Sequence, residues 1–79
     1  MNISIIKKLA EEQPLDLLKE AEHCLTEGLE LPFAVEGSDE GEQLTHLLAA
    51  IWIKEEMLKG TDLRSAIRLY SQKVRNSIS

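Results

Sequence analysis

A chain of 79 residues with a net charge of −5 has room for one small domain, and its acidic balance weighs against nucleic acid and anionic membranes as partners. Cys24 is the only cysteine, which excludes an intrachain disulfide or a cysteine-rich metal site as a staple and points to a reducing, cytoplasmic setting. The longest apolar run, Leu47 to Ile53, is far short of the roughly 20 residues a membrane span needs.

Ile5 to Glu12 places Ile5, Ile6, Leu9 and Ala10 at helical spacing, with Asn2 or Ser4 as candidate caps. The lysines here follow the isoleucines and acids come soon after, unlike an export signal. Gln13-Pro14 punctuates the chain, and a second helix is expected from Pro14 to Glu27. Its inward stripe is Leu17, Leu18, Ala21, Cys24 and Leu25; Asp16, Glu20, His23 and Glu27 face outward, and Gly28 is the natural stop.

Leu29 to Ser38 breaks the helical pattern, since Leu31, Phe33 and Val35 alternate with Pro32, Ala34 and Glu36. Pro32 lacks a backbone donor and disfavours a central strand. An ordered loop with Phe33 plugging one end of a helix bundle is expected; a short strand paired between two subunits is the alternative.

Asp39 and Glu42 have capping-box spacing, with Ser38 as a competing cap, and open a central helix expected to run to Lys59 before Gly60. Leu44, Leu47, Leu48, Ile51, Trp52 and Leu58 form its broad apolar face, and His46, Ala50, Ile53 and Met57 a second, narrower one. A helix apolar on two faces must be covered twice, and so short a chain has few elements to do it. A second copy is the expected remedy: a homodimer with His46, Ala50, Ile53 and Met57 at its interface. Trp52 belongs in the main core on this reading, its indole N–H meeting an acceptor. The tight Lys59-Gly60-Thr61 link then requires a helical hairpin, whose last helix runs from Asp62 to Asn76. Leu63, Ala66, Ile67, Tyr70, Val74 and Ile78 line one of its faces.

Charge is unevenly spread. Lys19 is the only base between Glu11 and Glu42, whereas Arg64, Arg68, Lys73 and Arg75 answer the single acid Asp62 after Gly60. Arg64, Arg68 and Arg75 fall on one flank at spacings of four and seven, the candidate face for an acidic protein partner. The same flank after a short link invites a helix-turn-helix reading and a nucleic-acid-binding regulator. The preceding helix is too long for that motif and the bases too few for phosphate binding.

Catalytic signatures are weak. Glu20 and His23 have the Glu-x-x-His spacing of di-iron bundles, but they point away from the apolar stripe and the pattern does not recur. His46 has no nucleophile placed beside it by sequence; a carboxylate partner such as Glu42, or its own symmetry mate, is expected instead. Cys24 lies in the apolar stripe, where an unreactive thiol is the ordinary outcome. No glycine-rich phosphate loop, zinc-hydrolase motif or nucleophile elbow is present. No enzyme activity, cofactor or metal site is therefore expected, and a metal-dependent enzyme ranks third, behind an interaction domain and a nucleic-acid-binding regulator.

The stretch from Val35 through Gly37-Ser38-Asp39-Glu40-Gly41-Glu42 to Ile53 resembles the signature of a family of very small uncharacterised bacterial proteins. Ile5-Ile6-Lys7-Lys8-Leu9 and Tyr70-Ser71-Gln72-Lys73-Val74-Arg75-Asn76-Ser77 are similar too, so the likeness covers most of the chain. The resemblance implies a free-standing domain and carries no activity, cofactor or partner with it. The expected fold is all-α over residues 1–79: three main helices plus a short N-terminal helix, with an extended segment between the second and third. The expected role is a small interaction or scaffold domain acting as a homodimer.

Overall fold

Each helix stops or starts where the chain offers a partner for its end groups. In the computed structural model, which describes residues 2–78 (Ile78 by its backbone alone), α1 spans Ile3–Glu12, α2 Leu15–Glu27, α3 Glu40–Leu58 and α4 Leu63–Ile78. The Asn2 side chain caps α1 by accepting the N–H groups of Ser4 and Ile5 at 2.9 and 3.3 Å. Pro14 stands just before α2, where its missing N–H costs nothing. Gly28 ends α2 with φ 73°, a left-handed conformation that a side chain would strain. Asp39 caps α3 through the Glu42 N–H at 2.8 Å; the Glu42 carboxylate accepts from the Ser38 hydroxyl at 3.0 Å instead of returning to close a capping box. Asp62 caps α4 through the Ser65 N–H at 3.3 Å.

Between α2 and α3 the chain is an ordered loop, with no strand among the described residues. Its anchor is Val35, which is buried, while Phe33 lies half-buried against the core. The Gln43 side-chain amide donates to the Val35 carbonyl at 3.1 Å. Glycine is required at position 37, because a Cβ there would come 2.9 Å from the Gln43 backbone nitrogen.

The helices α1, α2 and α4 each pack chiefly on α3. Every helix contributes a fully buried alanine: Ala10, Ala21, Ala49 with Ala50, and Ala66. Small residues at the crossings let backbones approach closely, so three helices can share one side of a fourth. Ile6, Leu9, Leu18, Leu47 and Ile53 fill the space between them. The radius of gyration, 12.1 Å, is close to the about 11.6 Å expected of a compact chain of this length.

This packing reverses the two faces expected of α3. His46, Ala50 and Ile53 are fully buried inside a single chain and Met57 is half-buried against the core, so the first three have no surface to give a second copy. Of the broad face only Leu47 is fully enclosed, while Leu48 and Leu58 remain 48% and 69% exposed. Small side chains at Ala49 and Ala50 suit close helix packing, and these two are fully buried where Leu48 and Leu58 are not. Leu17, expected in the inward stripe of α2, is likewise exposed, and Cys24 is half-buried. The side chain of Ile78, assigned to the inner face of α4, lies outside the described residues.

Candidate interaction surface

The outward strip of α3 carries Leu44, Leu48, Ile51 and Leu58, with Glu55 between the last two. Leu48 and Leu58 are exposed, and Leu44 and Ile51 half-buried. Glu55 lies 3.6 Å from the ammonium of Lys19 on α2, which marks one border of the strip. On the other border Trp52 packs against Tyr70 of α4, ring centroids 5.7 Å apart and tilted by 52°. Trp52 is thus a half-buried edge of the core, and its indole N–H makes no hydrogen bond among the described residues. Burial raises the Tyr70 hydroxyl above its ordinary pKa.

Arg64, Arg68 and Arg75 stand exposed on one flank of α4, as their spacing predicts. None of the three meets an acid among the described residues: the ion pairs there are Lys19–Glu55 and Lys59–Glu56. Arg64 also borders an open cleft of 470 Å³ with Lys7 and Glu11 of α1 and Asp62, Leu63 and Ile67. Asp62 is held below the usual carboxylate range by hydrogen bonds from the Ser65 hydroxyl and amide. Two bases and two acids balance at this cleft, so the net positive charge of the flank rests on Arg68 and Arg75. A smaller cleft, 230 Å³, separates α1 from Phe33 and Ala34.

His46 is the one fully buried ionisable side chain among the described residues. Its Nδ1 lies 2.8 Å from the Glu36 carbonyl and its Nε2 accepts the Asn2 N–H at 3.1 Å. A neutral ring protonated at Nδ1 satisfies both partners. The partners are backbone groups, neither the Glu42 carboxylate nor a symmetry mate, and both ring nitrogens are committed, which leaves none for catalysis. Sequence reasoning missed this node because backbone groups carry no residue signature.

Glu20, His23 and Glu27 are exposed, and no group of three His, Cys, Asp or Glu side chains that could hold a metal ion occurs among the described residues. Among those residues, no helix is long and apolar enough to cross a membrane.

The resemblance seen around the Val35–Ile53 stretch extends to the whole chain, since a family model matches residues 1–79. The chain belongs to the family of unknown function DUF6952. No curated protein and no solved structure matches it. Membership in DUF6952 fixes kinship and leaves the role to be argued from the surfaces.

Proposed function

We propose that this DUF6952 chain is a small cytoplasmic protein–protein interaction domain that acts as a homodimer and presents the Arg64/Arg68/Arg75 flank to an acidic partner. The observation that carries the reading is the set of three exposed guanidiniums that form no ion pair among the described residues of a chain of net charge −5. An acidic protein leaves arginines unpaired at the cost of nearby attractions it has ample carboxylates to make. Guanidinium forks suit carboxylates bidentately, which favours an acidic peptide over a lone anion. Nucleic-acid binding rests on many phosphate contacts, for which three arginines are few.

Titration of a fluorescent glutamate-rich peptide against the unaltered chain and the Arg64→Gln/Arg68→Gln/Arg75→Gln variant tests this. Saturable, salt-sensitive binding lost in the variant is the expected result. Failure of the unaltered chain to bind the peptide, or binding of duplex DNA in preference to it, overturns the acidic-partner reading.

A further inference from the structure

We infer that two copies of this chain associate through the outward strip of α3, with the two α3 helices antiparallel. The inference rests on the homodimer reading above and assigns it a surface.

Leu44, Leu48, Ile51, Glu55 and Leu58 follow one another at spacings of four, three, four and three. That is the alternation of a heptad seam, in which a single line of side chains stays on one side of a helix for its whole length. Such a seam is complementary to another helix of the same spacing. Within the chain the three remaining helices already pack on α3, and they leave Leu48 48% and Leu58 69% exposed. A second copy brings the required spacing with it, and a two-fold axis makes one patch serve both sides of the contact.

Charge decides the orientation. Asp39, Glu40 and Glu42 gather at the start of α3, whereas its end is balanced, Glu55 and Glu56 being answered by Lys19 and Lys59 at 3.6 and 3.5 Å. Parallel pairing would set these carboxylates against their own mates and align two helix dipoles. Antiparallel pairing with Leu48 level with the partner's Ile51 brings Glu40 level with the partner's Lys59, and opposes the dipoles. Leu44 then falls level with the partner's Glu55, which Lys19 draws to the edge of the strip at 3.6 Å. One charged position in five keeps the contact modest. It also distinguishes the seam from an aggregation-prone apolar patch.

The test uses the full chain with Cys24→Ser as background, so that introduced thiols are unique. Sedimentation equilibrium at tens of micromolar should give twice the chain mass. Leu48→Glu should weaken association at least about tenfold without loss of helical circular dichroism, because Leu48 is exposed in the folded chain. A short bismaleimide should link Leu48→Cys chains into dimers. It should fail with Leu58→Cys, whose copies lie about 25 Å apart along an antiparallel seam at 1.5 Å rise per residue. Linkage at Leu58→Cys as efficient as at Leu48→Cys overturns the antiparallel arrangement. A dimer that withstands Leu48→Glu overturns this surface and leaves the homodimer reading standing. An unaltered chain that is monomeric throughout overturns both.

Discussion

The backbone N–H of Asn2 donates to Nε2 of His46 across 3.1 Å, joining positions 44 residues apart. Asn2 is also the cap of α1, so its side chain holds the helix start while its main chain is held by α3. The other ring nitrogen reaches the Glu36 carbonyl, so one fully buried imidazole ties the N-terminus and the extended segment to the central helix. Replacing it with an apolar residue of similar size leaves a donor and an acceptor unanswered, at about 1–3 kcal/mol each.

His46→Leu should therefore lower the free energy of unfolding by about 2–6 kcal/mol, read from urea titration. Nitrogen-15 spectra of the unaltered chain should place the proton on Nδ1. A leucine variant as stable as the parent, or a proton on Nε2, would refute the assignment.

Ile53→Asp should unfold the chain rather than split a dimer. Ile53 is fully enclosed, and an unpaired carboxylate there costs several kcal/mol. A domain of this size has only about 4–12 kcal/mol in total. Loss of the far-ultraviolet helical signal checks it; a folded monomer would show that position 53 is an interface after all.

How much of this was legible in the sequence follows the same divide. Gly28, Asp39 and Asp62 mark their boundaries by local chemistry, and the structure places them there. The phase of α3 was not legible, because a helix apolar on both sides gives no direction, and bulk alone favoured the leucines. The alanines decide it through close approach, a property of pairs of helices that no single helix displays. The arginine flank was legible because its spacing alone puts it on one azimuth. The His46 partners were not, since Asn2 contributes an amide that any residue but proline possesses.

Lys54 illustrates a second long-range device. Its ammonium donates to the Ala10 carbonyl at 2.9 Å, at the end of a helix whose last turn holds no base and closes on Glu11-Glu12. A cation from α3 thus supplies what α1 lacks at the negative end of its dipole. Lys54→Met keeps the apolar stem and should cost about 1–2 kcal/mol, with faster amide exchange concentrated in α1. Equal stability of the two proteins would reduce this contact to a surface accident.

Tyr70 predicts a response to alkali. Burial disfavours its phenolate, so the folded-state pKa stands above the ordinary value near 10 while the unfolded chain ionises at that value. Between the two values the unfolded state holds fewer protons, so stability is intact below pH 10 and declines as the pH rises through this window. Tyr70→Phe preserves a ring against Trp52 and should flatten this slope in melts taken from pH 8 to 11. An identical slope in the variant would assign the alkaline loss to the lysines.

The arginine flank separates recognition from architecture. Arg64, Arg68 and Arg75 are exposed, and Glu55 of the neighbouring helix is paired with Lys19 rather than with any of them. Exposed ion pairs contribute roughly 0–1 kcal/mol, and these arginines make none among the described residues. Replacing all three with glutamine keeps the side-chain stems and helix propensity, so the melting temperature should move by no more than about 4–8 °C. The change also takes the net charge from −5 to −8, three cations being lost. A general penalty from that charge would fall equally with Lys8→Gln/Lys19→Gln/Lys73→Gln, which removes as many cations away from the arginine flank and its cleft. Loss of glutamate-rich peptide binding in the arginine variant alone identifies the flank as the site. Equal loss in both variants would reduce the interaction to bulk attraction, and a large drop in melting temperature would make the arginines structural.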